Sequence, residues 1–383
     1  MNVQRATSKK GSAIIVGGSL TGLALAIALA RAGVLVRIVE QNAGMERLGT
    51  GLGVDRSLLS MVTGVDATRS QEIRPLPVVR SFRETSTWRA IYEWLRTVAD
   101  ATGGIEVREG LRVDEVTQNA TGAQVRGDAF SFEADIVVGA DGYRSVVRRV
   151  VDPSNPIARY GGFVIWRGLV EEAWIGEVSA NLRGGLLPYA ETTRLIAYAV
   201  PGPDGNVARG QRQITYAWYD ASRTAWLREN GFLDGEEILA SITPEAIPSR
   251  LHDELHRLAS TRWESPERDV LVTALDRNVL FGTALTQYLP SRLCNGRVAM
   301  VGDAAHVASP MVGAGLVYGL LDGEALGRAV AAAGGTTGAA GVAALRAYEA
   351  ERLEENRAHV QESIAATAGL LRSITTQTGF RVS

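Results

Sequence analysis

One cysteine, Cys294, occurs among 383 residues, so no internal disulfide can form. That scarcity suits a reducing, cytoplasmic setting and gives no hint of secretion. Net charge is nearly absent too: 40 Lys and Arg against 42 Asp and Glu leave −2. No strongly basic balance is available to hold a nucleic acid. The short polar start, "MNVQRATSKKG", carries no targeting signal, and no solenoid-type repeat is found. What is present is 46% apolar and 21% charged residue, the balance of a water-soluble globule long enough for two or three domains.

Charge is also missing locally. From Ala13 to Ala30 no charged residue occurs, and a run of that length could cross a bilayer. The stretch "IIVGGSLTGLALAIALARAG" argues for another structure. Gly17, Gly18, Ser19 and Gly22 follow the β-branched pair Ile15-Val16 and precede a Leu/Ala-rich run. That order predicts strand, tight turn and helix, with Gly33 as the helix stop and "VLVRIVE" as a second strand ending at Glu40. The spacing Gly17-x-Ser19-x-x-Gly22 suits a pyrophosphate cradle. Gly17 allows the turn, a small residue at 19 lets the backbone approach the phosphates, and Gly22 lets helix and strand pack closely. Glu40 would accept hydrogen bonds from an adenosine ribose. Two other readings compete: a plain tight connection, and a nucleophile elbow around Ser19. The elbow needs glycine where Thr21 stands.

Further along, "TWRAIYEWLRTVADATG" places Trp88, Ile91, Trp94, Leu95 and Val98 at helical spacing. Residues 105–139 read as short strands, and 160–220 as a largely β second domain rich in aromatics. Two more strand-to-turn signals stand out. Asp141-Gly142 follows one apolar strand. Gly302-Asp303 follows another, and then come Pro310 and Gly313-Ala314-Gly315 opening a helix. "AVAAAGGTTGAAGVAAL" reads as a low-complexity linker, and a charged amphipathic helix is expected from about Val342 to Ile374. Within it "RAYEAERLEENR" reads as a solvated face. His252 and His256 lie at i and i+4, but no third ligand accompanies them, so no metal site is expected. His306 reads as packing and not as a base, and Cys294 as a small buried residue.

With these three ordered signals the chain resembles the class A, single-component FAD-dependent aromatic hydroxylases, the para-hydroxybenzoate hydroxylase group. Within the group it looks most like the 2,6-dihydroxypyridine 3-hydroxylase-like and FAD-dependent urate hydroxylase-like enzymes. "GTGLGV" (Gly49 to Val54), "YGGFVIWRGLV" and "LIAYAVPG" carry that closer match. The resemblance implies an α/β fold: a Rossmann-like (GR2-type) FAD-binding domain, a second, mainly β substrate domain and a long C-terminal helix. The expected boundaries are 1–75, 88–155 and 265–330 for the FAD domain, 76–87 and 156–264 for the substrate domain, and 331–383 for the linker and last helix.

The resemblance further implies that Gly17, Gly18, Ser19, Leu20, Thr21 and Gly22 hold the pyrophosphate and Glu40 the adenosine ribose. Gly302 and Asp303 meet the ribityl chain, and Asp141 serves both FAD and the nicotinamide cofactor. The helix N-terminus after Pro310, at Gly313, Ala314, Gly315 and Leu316, offers N–H groups to the anionic reduced flavin. Ala314 and Val317 replace the Gln and Asn usual there. The family's arginine near the start of the Trp88 helix is either Arg89 or replaced by Trp88. NADH or NADPH and O2 are the implied co-substrates, with a flavin C4a-hydroperoxide attacking a small electron-rich aromatic or N-heteroaromatic ring. Arg167 is the candidate cation for an ionised substrate, and Tyr198, Tyr216 and Trp218 are candidate ring contacts; surface pairing and core packing are the competing readings. No membrane partner is expected, and the assembly is expected to be a monomer or homodimer. A halogenase is disfavoured because its W-x-W-x-I-P segment is absent. A non-catalytic FAD- or aromatic-binding protein is the other rival.

Overall fold

The computed structural model describes residues 10–44, 50–69, 72–80, 83–182, 186–190 and 193–378; the first nine residues and Gly49 of "GTGLGV" lie outside them. The charge-free run divides as its glycines demand. Ser12–Val16 is a strand, Leu20–Arg31 a helix, and Leu35–Val39 the next strand. The helix is short because Gly33, at φ +92°, turns the chain out of it. It is apolar all round because it is covered on both sides, with Leu23, Leu25, Ile27 and Leu29 fully buried. Each such side chain contributes about 1.5–3 kcal/mol of burial. No helix among the described residues is long and apolar enough to cross a membrane.

Five parallel strands and one short antiparallel edge form the first sheet. Its order is Cys294–Asn295, Val298–Met300, Ile136–Gly139, Ser12–Val16, Leu35–Val39, Ile105–Arg108. Strands distant in the chain are therefore neighbours, and the turns that follow three of them meet along one edge. Ala140 donates its N–H to Val16 O at 2.7 Å, and Val301 donates to Gly139 O at 2.9 Å. The carboxyl ends of parallel strands are where ligands bind in open α/β sheets.

The second sheet has seven strands and is antiparallel. At its centre Arg159–Glu171 pairs with Gln213–Asp220 and Phe281–Gln287, and Thr193–Val200 pairs with Gln213–Asp220. Two helices, Ser249–Arg262 and Glu267–Asp276, cover one face, and their apolar residues share a core with Trp166, Tyr216 and Trp218. The helix 267–276 packs on this second sheet, and the strand 281–287 pairs within it. The histidines of the first of these helices bind the second, His252 to Leu275 O at 3.1 Å and His256 to Asp276 at 3.2 Å.

The presumed Ala/Gly linker is mostly helix. Gly315–Ala332 runs into it, Gly334 and Gly335 make the turn, and the last helix spans Gly338–Thr378. Alanine favours helix strongly enough to carry both ends.

Candidate cofactor and substrate site

The glycine turn is shaped by contacts that leave no room for side chains. Gly17 has φ +103°, and a Cβ there would lie 2.3 Å from Ala140 O. One on Gly22 would lie 2.0 Å from Gly17 O. Ser19 caps the helix with extended backbone and no side-chain cap bond, and the first helical hydrogen bond is Leu23 N–H to Ser19 O. The N–H groups of Leu20, Thr21 and Gly22 consequently have no acceptor within the helix, an arrangement that suits an anion. Glu40 is buried and accepts from Gly18 N–H at 2.8 Å and from the backbone and side-chain N–H groups of Asn42. It ties the turn to the second strand. Thr21 is a spacer: a Cβ on Gly302 or Gly319 would come within 2.9 or 2.4 Å of it. The glycine-turn helix thus abuts the third motif directly.

Asp303 is solvent-exposed on the cleft, with protein packed closely around it. The surrounding protein lifts its carboxyl above the ordinary value, opposed in part by the charges of His306, Arg148 and Arg167. Beside it Ala314 caps the helix 315–332, whose first hydrogen bond is Tyr318 N–H to Ala314 O at 3.0 Å. Gly313 stands at φ +62°, and Gly315 is exposed. The free N–H groups of Gly315 and Leu316 therefore sit at the positive end of an 18-residue helix. Pro310 opens the preceding 3-10 turn, where the lost N–H costs nothing.

Asp141 works on its own loop. Its carboxylate accepts from Ser145 Oγ at 2.6 Å and Val146 N–H at 2.8 Å. That loop delivers Arg148, which sequence reasoning missed. Fully buried, it donates to three carbonyls, Tyr143 at 2.7 Å, Asp303 at 2.9 Å and Ala304 at 3.0 Å, and lies over the Tyr288 ring. It clamps the second motif to the third. Nothing distinguished it in the sequence from Arg144 and Arg149 nearby.

The aromatic candidates separate. Period two puts Tyr216 and Trp218 on one face, as expected, but that face is the helix-covered one. Both are 1% exposed, and Tyr216 donates its hydroxyl to Val279 O. They are core residues and not part of the cleft. Arg167 and Tyr198 occupy the other face. Arg167 Nε is buried without a hydrogen-bond partner among the described residues, and its guanidinium lies 5.3 Å from the Phe281 ring. Burial depresses its pKa, offset by Tyr219, Tyr143 and Asp303. Tyr198 donates to Gly51 O at 3.1 Å. Arg83, also missed, donates to Gly313 O at 3.2 Å and fills the space that side chains at Gly53 and Gly313 would need. Arg89 is not brought to this cluster: it lies on the exposed side of its helix, paired with Glu93 at 2.9 Å. Trp88, at the competing register, stacks on Tyr92.

The residues fit a dinucleotide with an anionic end group: two helix N-termini, a carboxylate on the cleft and glycines that cannot be replaced. A separate groove of about 370 Å³ over the amino ends of the same strands is lined by Arg37 and Glu106, which satisfy each other at 2.7 Å. No group of three or more possible metal ligands occurs among the described residues.

Comparison with known proteins agrees with this geometry. An FAD binding domain family matches residues 10–86 and 279–363, and an FAD binding domain-like family matches 160–230. The chain is 28% identical over 331 residues to 2,6-dihydroxypyridine 3-monooxygenase of Paenarthrobacter nicotinovorans, covering 79% of this chain and 78% of that protein. It is 26% identical over 391 residues to an FAD-dependent urate hydroxylase of Klebsiella pneumoniae, covering 90% and 86%. Among solved structures, 2,6-dihydroxypyridine-3-hydroxylase from Arthrobacter nicotinovorans superposes with TM-score 0.75 at 22% identity, over 95% and 93% of the two chains. Klebsiella pneumoniae HpxO, complexed with FAD and uric acid, superposes with TM-score 0.66 at 25% identity, over 96% and 91%.

Proposed function

We propose, from the premise that this chain is a flavoprotein of the class A FAD-dependent aromatic hydroxylases, that it inserts one oxygen atom into a small ionised hydroxy-aromatic or hydroxylated N-heteroaromatic ring. The overall balance is substrate, O2, NAD(P)H and a proton giving hydroxylated substrate, water and NAD(P)+. The observation that carries this reading is the meeting of the three motif turns at the carboxyl ends of one parallel sheet, beside the face of the second sheet that bears Arg167.

FAD, when bound, supplies the hydride acceptance and O2 activation. The chain's own residues do the rest. Leu20, Thr21 and Gly22 donate N–H groups to the pyrophosphate, and Glu40 accepts from the adenosine ribose. Asp303 accepts from the ribityl hydroxyls. The N–H groups of Gly315 and Leu316 offset negative charge on the ring system. An ionised substrate in a dry pocket needs a cation, because an unpaired buried charge is costly. Arg167 supplies it: burial does not remove a guanidinium's charge, and its unpartnered Nε marks a donor awaiting an acceptor. Tyr198, its hydroxyl held by Gly51 O, offers its ring as a contact on the same face, and Asp141 holds the loop on which the nicotinamide cofactor docks. Exclusion of water then decides between hydroxylation and release of hydrogen peroxide. The buried lone Cys294 supports a reducing, cytoplasmic setting, and we take the working unit to be a monomer or homodimer.

The test is a panel of hydroxylated benzoates, pyridinols and purines scored for stimulated NAD(P)H oxidation, with product mass read for a single added oxygen. Products unchanged in mass across the panel, with all reducing equivalents lost as peroxide, would sink the hydroxylase reading. For the substrate that passes, Arg167→Met is expected to weaken binding by about 2–5 kcal/mol while FAD content stays intact. Parent-like binding makes Arg167 structural.

A further inference from the structure

Five polar residues of the C-terminal helix, Arg352, Asn356, His359, Ser363 and Thr367, follow one another at intervals of three or four and share a face. All are buried, although the first two belong to the stretch that reads as solvated from sequence. The ridge ends on the backbone of the cofactor turns from behind. Arg352 Nε and Asn356 Nδ2 each donate to Asp322 Oδ1 at 3.1 Å. The other oxygen of Asp322 accepts from Gly302 N–H at 2.9 Å and from His306 Nε2 at 2.7 Å. Two turns beyond Asn356, Ser363 Oγ accepts from Ser309 N–H at 2.6 Å, and Gln287 donates to Ser363 and Thr367. His359 stacks on Tyr318 of the adjoining helix, ring centroids 3.8 Å apart.

Stability alone does not account for this arrangement. The helix is already anchored elsewhere by Tyr348 donating to Met300 O and by Arg357 donating to Pro290 O. A buried ion pair such as Asp322–Arg352 adds little that apolar packing would not supply. What a satisfied polar network adds is a fixed position for the groups it ends on. Here those groups are the N–H of Gly302, next to Asp303, and of Ser309, next to Pro310.

We propose that Asp322 and Ser363, backed by Arg352 and Asn356, are positioning residues through which the C-terminal helix sets where the Gly302–Asp303 and Ser309–Gly313 backbones meet FAD. This rests on the reading that those two turns hold the cofactor.

The experiment compares full-length parent, Ser363→Ala, Ser363→Thr and Asp322→Asn. Two quantities are read well below the melting point, the FAD dissociation constant from flavin fluorescence and the visible circular dichroism of bound FAD; the third is the melting temperature of apoprotein. Loss of one buried hydrogen bond predicts that Ser363→Ala weakens FAD about tenfold and alters the visible dichroism. Ser363→Thr, which keeps the acceptor, restores both. Asp322→Asn weakens FAD further. A purely structural role would lower the melting temperature and leave the dissociation constant and dichroism at parent values; that result in Ser363→Ala overturns the proposal even where Asp322→Asn does not fold. Parent protein that takes up no FAD overturns the cofactor reading together with this one, whereas parent that binds FAD with unaltered variants overturns this one alone.

Discussion

In the parallel sheet the residues placed for the cofactor are those with the least side chain, whereas in the antiparallel sheet the largest side chains are withdrawn from the cleft. Gly17 and Gly22 are needed because backbone must pass within 2.0–2.3 Å of where a Cβ would sit. Trp166, Tyr216 and Trp218 serve a covered face and leave the cleft to Arg167 and Tyr198. In the proposed function one site is built from main-chain N–H groups at helix ends, the other from a few side chains projecting from a sheet. The first tolerates almost no substitution at its glycines. The second separates stability from recognition, because its two faces have different neighbours.

The sharpest break of that contrast is Gly22→Ala. Its methyl group would collide with Gly17 O, and the expected outcome is protein that retains no FAD after desalting. A yellow variant would mean that the turn is softer than its geometry. Next in size is Trp218→Ala. Emptying a buried indole is expected to cost about 3–5 kcal/mol in denaturant unfolding. The Michaelis constant of the identified substrate should stay within about twofold for the fraction that remains folded, less than 1.4 kcal/mol of binding. A large rise in the Michaelis constant would return Trp218 to the cleft.

A smaller effect with two signs is expected for Asp303→Asn. Losing a charge-assisted hydrogen bond of about 1.5–3 kcal/mol should weaken FAD by one to two decades. Apoprotein should melt higher, not lower, near neutral pH. The protein packed around Asp303 displaces water and raises its carboxyl in the folded chain, so folding disfavours the ionised form. The contribution to stability is full below the ordinary carboxylate value and is lost as pH rises through the raised one. The amide escapes that loss, and the difference between variant and parent should shrink on acidification. Calorimetry of apoprotein across pH checks it. Smallest of all is Arg89→Ala. An exposed pair with Glu93 contributes at most about 1 kcal/mol, and FAD titration should not distinguish the variant from parent.

Sequence was most informative where residue type forces backbone shape. The glycine turn, the strand before it, the Glu40 strand and the two later strand-to-turn signals all stand where spacing predicts. Sequence was least informative about which neighbour covers a face. Alternation correctly put Tyr216 with Trp218, but it carries no information on whether helices or a cofactor cleft lie above them. The same blindness hid the ridge of the last helix: Arg352 and Asn356 at i and i+4 look alike whether they face water or Asp322. Arg148 and Arg83 had no signal that set them apart from the arginines around them. The pairing of strand 281–287 with 159–171, more than a hundred residues earlier, is likewise a contact that local patterns do not encode.

The strand order also dictates when the protein can first become yellow. During synthesis the glycine turn is made before its partners: the strand Ser12–Val16 must wait for Ile136–Gly139, and that strand in turn for Val298–Met300. Asp303 and the helix beginning at Gly315 come later still. Long-range pairing of this kind is slow and leaves apolar surface uncovered meanwhile. Everything from residue 12 to beyond residue 315 must therefore be made before a complete cofactor seat exists. Flavin loading is in consequence a late event in the life of each molecule, and a shortage of FAD is expected to leave behind full-length apoprotein, not arrested fragments.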